Sequence, residues 1–105
     1  MTLHFKPEVR MAPGLAAAVL IRIIAELFER HGVDVWLTSA NDGTHKEGSF
    51  HYRDLAWDFR THHLQPLVKA EVIANLRQRL APQFQVLFEG EGSANEHLHV
   101  QYNPH

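Results

Sequence analysis

Two stretches of this chain open at a proline and then repeat apolar residues at helical spacing, and they decide most of what it can fold into. Residues 13–31, PGLAAAVLIRIIAELFERH, set Leu20, Ile23, Ile24, Leu27 and Phe28 on one side and Arg22, Glu26, Glu29 and Arg30 on the other. Pro13 suits a first helical turn, where its missing N–H would lack a partner anyway, and Gly32 supplies a C-terminal stop. Residues 66–81, PLVKAEVIANLRQRLA, repeat the pattern: Pro66 opens, Val68, Val72, Ile73, Leu76 and Leu80 form a stripe, and Pro82 closes. Each stripe must be buried against something else in the chain.

The remaining apolar runs supply that surface. VDVWLT (33–38), LAWDFR (55–60), FQVLFEG (84–90) and HLHVQY (97–102) are β-prone, and the turn GEGSAN joins the last two as a hairpin. Alternation along LAWDFR puts Leu55, Trp57 and Phe59 on one face and Ala56 and Asp58 on the other. Trp36 and Trp57 read as core. The order helix, strand, strand, helix, strand, strand predicts an α+β domain: two helices packed on a small, mostly antiparallel sheet. With 105 residues the chain is a single domain, residues 1–105.

Bulk properties exclude several functions. The net charge is −2 and the basic residues are dispersed, which leaves no electrostatic footprint for nucleic acid and no polybasic patch for a membrane. Absence of cysteine rules out disulfides and thiolate metal sites. MTLHFKPEVRMAPG lacks the basic-then-apolar pattern of a secretory signal, and LAAAVLI is too short to cross a bilayer. The expectation is a protein that is cytoplasmic as synthesised.

Nine histidines are several-fold more than a chain of this size usually carries, and they do not form a tag-like run. Histidine is the commonest metal ligand and the usual acid or base near neutral pH. His97 and His99 are two apart on a strand and share a face, His51 closes the polar loop SANDGTHKEGS, and Asp58 follows on the next strand. If those two strands are neighbours, these side chains converge. Two imidazoles and a carboxylate form a common catalytic zinc shell, with ligands at about 2.0–2.2 Å and a fourth position for water. Glu96, in the turn before His97, is the nearest candidate base, with Glu91 in reserve.

SFHYRDLAWD, residues 49–58, resembles the S-x-H-x-x-G-x-A-x-D signature of the D-Ala-D-Ala metallopeptidase family, which includes D,D-carboxypeptidases, D,D-dipeptidases and phage L-Ala-D-Glu endolysins. Ser49, His51, Ala56 and Asp58 fall on the signature, and Glu96 to His99 match its second element, Glu-x-x-His. THKEGSFHYRDLAWD is also similar to the zinc-site segment of the Hedgehog signalling domain, which shares the fold. The resemblance spans about Val33 to Tyr102. It implies a Hedgehog/D,D-peptidase-like fold and one Zn2+ per chain on His51, Asp58 and His99, with Glu96 as base and His97 or His45 assisting near the metal. Asp54 stands where the family has glycine, and Leu37-Thr38-Ser39-Ala40 stands where it often has an arginine-bearing segment. Arg53 and Arg60 are the nearest replacements for that arginine.

The activity implied is hydrolysis of peptide bonds in peptidoglycan stem peptides, in the manner of a phage or prophage lysis enzyme. Without the family arginine, an internal bond suits the chain better than a terminal D-Ala. The alternative is a zinc-containing binding module of the same fold that does no proteolysis. A nuclease using the HLH element with a tyrosine nucleophile is set aside, because only QYNPH follows and the chain is not basic. Ser49 is expected to bond local backbone; His62 and His63 are expected in solvent, and His4, His31 and His105 on the surface.

Overall fold

The computed structural model describes residues 3–6, 15–39 and 56–102. In chain order the elements are β1 (Leu3–Phe5), α1 (Leu15–Arg30), β2 (Val35–Ser39), β3 (Ala56–Arg60), α2 (Pro66–Leu80), β4 (Phe84–Glu89) and β5 (His97–Tyr102). The end of α1 follows from Gly32. Its φ of 65° lets the Val33 amide reach the Phe28 carbonyl at 3.2 Å while the Gly32 amide reaches Glu29 at 3.0 Å, the paired bonds that close a helix at a left-handed residue. Helix α2 starts at Pro66 as expected; its last turn ends with Ala81 donating to Arg77, after which Pro82 has no N–H to continue.

The five strands form one sheet in the order β1-β2-β3-β5-β4. Pairings β2–β3, β3–β5 and β5–β4 are antiparallel, and the last is the expected hairpin. The expectation of a mostly antiparallel sheet needs one correction. Edge strand β1, which the sequence reading did not foresee, runs parallel to β2, so the sheet is mixed. The link from β1 to β2 contains α1, and a parallel return needs a crossover of that kind. Between Leu37 and Ser39 the β2–β3 register shifts by a residue, a bulge that sits directly beside Asp58.

Both helices cover one face of the sheet. Leu20, Ile24, Leu27 and Phe28 of α1 and Val72, Leu76 and Leu80 of α2 pack with Val35, Leu37, Trp57, Phe59, Leu98 and Val100 in one core, and all are buried. Trp57 is the largest of the fully buried side chains, as its pattern predicts. Trp36 is not core: alternation from buried Val35 and Leu37 turns it to the other face, where it is partly exposed. Thr38, Asp58, Arg60, His97, His99, Gln101 and Glu89 alternate with core residues and share that helix-free face. Among the described residues no helix is long and apolar enough to cross a membrane.

Candidate functional site

Strand register assembles the site. On β3 and β5, Asp58 lies opposite His99 and Arg60 opposite His97; on β4, Glu89 lies opposite His97 and Leu87 opposite His99. Directly opposed side chains on one face are close enough to touch. His99 Nδ1 donates to Asp58 Oδ1 at 2.8 Å, and its Nε2 lies 2.9 Å from Gln101 Oε1. The pair is largely sheltered, with 14% and 16% of the two side chains exposed. His97 Nε2 stands 3.2 Å from Glu89 Oε1 and 4.0 Å from Asp58 Oδ1, and its Nδ1 donates to the Asn95 carbonyl. Glu89 Oε1 is also 3.9 Å from His99 Nδ1.

The hydrogen bond to Asp58 raises the pKa of His99 above its ordinary 6.5; partial burial opposes the shift, and Gln101 and the nearby Glu89 charge add to it. The carboxylate beside Nδ1 is the main reason the charged ring is favoured.

Glu96 sits differently. It is buried just before β5 begins, and its bonds run to the residue after β3, to α2 and to the β4–β5 turn rather than to the histidines. Its Oε2 accepts from the Thr61 hydroxyl at 2.6 Å, Lys69 Nζ reaches both oxygens at 2.9 and 3.0 Å, and the Gly92 amide donates to Oε1 at 3.2 Å. Burial by itself would raise the carboxyl pKa; the bonds from Thr61, Lys69 and Gly92 outweigh it and hold the group at about 2. The turn is shaped for this contact. Gly90 has φ 65°, and a Cβ there would meet Ser93 Oγ at 2.9 Å and the Asn95 backbone at 3.0 Å.

Of the site residues expected from sequence, the structure brings Asp58, His99 and His97 together, places Arg60 on the same face, and buries Glu96 among Thr61, Lys69 and Gly92 at the wall of the cavity that Asp58 and His97 also line. His45, Ser49, His51, Arg53 and the departing Asp54 lie outside the described residues. His62 is exposed, as expected, and bonds the Ala94 carbonyl at 3.1 Å. His63, also exposed, bonds the Asp34 carbonyl at 2.6 Å. His4 is more than a surface residue, since it stacks on Trp36 with ring centroids 4.1 Å apart and bonds Asp34 at 2.8 Å. Glu89, Gln101, Thr61 and Lys69 were missed. The first two had a signal, because hairpin register and i,i+2 spacing put them on the histidine face; the other two meet Glu96 only through the tertiary fold.

Among the described residues no three His, Asp or Glu side chains are grouped to hold a metal ion. The donors suit zinc in kind, an imidazole and a carboxylate on one sheltered face, with two of the three implied ligands in contact. Asp58 Oδ1 and His99 Nδ1, 2.8 Å apart, are the atoms that would hold the ion. Comparison of the chain with protein-family models, with curated proteins and with solved structures gives no match.

Proposed function

We propose that the chain is a zinc-dependent peptidase acting on peptide bonds of peptidoglycan stem peptides, with His51, Asp58 and His99 as ligands to a single ion. The observation that carries it is the β3–β5 register, which sets Asp58 against His99 although they are 41 positions apart. Those two residues are the ones that the resemblance names as ligands, and the fold it implies is the Hedgehog/D,D-peptidase type.

When bound, zinc would polarise the scissile carbonyl and make a water nucleophilic at neutral pH. The chain's own residues supply the rest. Gln101 holds the His99 ring from its far nitrogen, as partners beyond the metal ligands do in such sites. His97 and Glu89, 3.2 Å apart on the same face, are placed to move a proton beside Asp58. Glu96, the base by resemblance, would accept a proton only after loosening its bonds to Lys69, because a base works best with a pKa near the working pH. The setting that fits is a phage or prophage lysis enzyme.

The same commitment of Glu96 favours a second reading, a zinc-containing binding module that does not hydrolyse peptides. Incubating the zinc-loaded protein with muropeptides separates the two. Cleavage that is lost in Glu96→Gln or Glu89→Gln, with zinc retained, supports the peptidase and identifies its base. Zinc bound without any cleavage leaves the module.

A further inference from the structure

A cavity of about 490 Å3 opens on the helix-free face, lined in part by Lys6, Thr38, Asp58, Arg60, His62 and His97. Its charges are unevenly satisfied. The carboxylate of Asp58 bonds His99, and that of Glu96, also on the cavity wall, is held by Lys69. Lys6 and Arg60 face the same space, and among the described residues neither forms an ion pair.

Arg60 is also held in place. Its guanidinium carbon lies 4.7 Å from the centroid of the Trp36 ring. Trp36 is braced in turn by the His4 ring, 4.1 Å away at an interplanar angle of 11°, and His4 is tied to Asp34 at 2.8 Å. The stack Asp34–His4–Trp36–Arg60 runs across β1, β2 and β3. Stacking engages the face of a guanidinium and leaves its edge, with the forked N–H donors, directed elsewhere. Such an edge matches a carboxylate in two parallel bonds. Because Trp36 already carries His4 and Arg60, it serves as a brace rather than as a stacking platform for a sugar.

We propose that Arg60, positioned by Trp36 and seconded by Lys6, forms a carboxylate-binding subsite next to the Asp58–His99 pair, so that the cleft prefers peptides bearing a negative charge. The inference relies on the proposed function only in taking the ligand to be a peptide; the subsite itself needs neither metal nor hydrolysis. Arg60 binds and orients the ligand here and takes no chemical step.

The test is calorimetric titration of the full chain with two blocked dipeptides of equal size, acetyl-Ala-Glu-amide and acetyl-Ala-Gln-amide. A second pair, acetyl-Ala-Ala as free acid and as amide, distinguishes a side-chain carboxylate from a terminal one. At least one acid is expected to bind about tenfold more tightly than its neutral counterpart, the scale of one charge-assisted bond. Arg60→Gln should abolish the preference, Arg60→Lys should restore it in part, and Trp36→Leu should weaken it while Arg60 is intact. Equal affinity for acid and amide in both pairs, no binding of any of the four, or a preference that survives Arg60→Gln overturns the proposal. Zinc content measured on the same samples separates this outcome from failure of the metal site, since the preference is expected whether or not zinc is present.

Discussion

Two polar pairs are anchored within three residues of each other at the start of β5, and they are built to different ends. Glu96 and Lys69 are enclosed, with 5% and 19% of their side chains exposed, and both carboxylate oxygens are fully engaged. His99 and Asp58 lie on the helix-free face with a second imidazole, a second carboxylate and an open cavity beside them. The first pair fastens α2 and the β4–β5 turn to the sheet. The second is joined by a 2.8 Å bond on a face that also carries His97 and Glu89. A buried ion pair adds little net stability over an apolar filling, but removing one partner leaves a stranded charge. Asp58 and His99 are as sheltered as Lys69, so the difference lies in their neighbours: His97 and Glu89 stand close enough to offset the loss of either member.

The largest effect should come from breaking the enclosed pair from one side. Lys69→Met leaves the Glu96 carboxylate buried without its cation and is expected to cost about 3 kcal/mol, lowering Tm by roughly 10 °C or more. The double variant Lys69→Met/Glu96→Gln should recover most of that loss in thermal melts. A Lys69→Met protein as stable as the parent would remove the distinction between the two pairs.

Acid should break the same pair next. The Glu96 pKa is depressed from 4.5 to about 2, so the unfolded chain binds the proton first as pH falls. The stability this group contributes is present above pH 4.5 and declines toward pH 2, by about 3 kcal/mol in all. Urea melts across that window should show the decline, and Glu96→Gln should flatten it.

On the open face the sign reverses. The His99 pKa is raised, so the metal-free pair contributes stability below pH 6.5 and loses it as pH rises through the folded value. Asp58→Asn should return the His99 titration toward 6.5 in NMR while changing stability at neutral pH by less than about 1 kcal/mol. Gln101→Ala should shift His99 downward less than Asp58→Asn does, with a stability change within roughly 0.5 kcal/mol.

Much of this comparison was visible in the sequence, but unevenly. Alternation along LAWDFR and HLHVQY put Asp58 and the two histidines on faces that had only to be aligned; Pro66 and Pro82 marked the ends of α2 and Gly32 the end of α1, while Pro13 lies outside the described residues. The β3–β5 register itself is a long-range pairing that no local pattern specifies. Strand β1 was missed because three residues, Leu3 to Phe5, are too few to show a period, and their partners lie beyond a whole helix. Trp36 was misassigned because size argued for burial while its place between Val35 and Leu37 argued against it. Glu96 shows the limit of motif reading: its spacing to His99 fits a catalytic pair, but bonds from Thr61 and Lys69, 35 and 27 positions away, lower its basicity.

The most direct test of the proposed zinc site is the metal content of the purified protein after exposure to zinc, by elemental mass spectrometry, for the parent and for Asp58→Asn, His99→Ala and Glu96→Gln. About one zinc per chain in the parent and in Glu96→Gln, and none in the other two, is the expected result. A parent that binds no zinc, or a His99→Ala protein that binds it as well as the parent, would contradict the assignment of the Asp58–His99 pair to a metal.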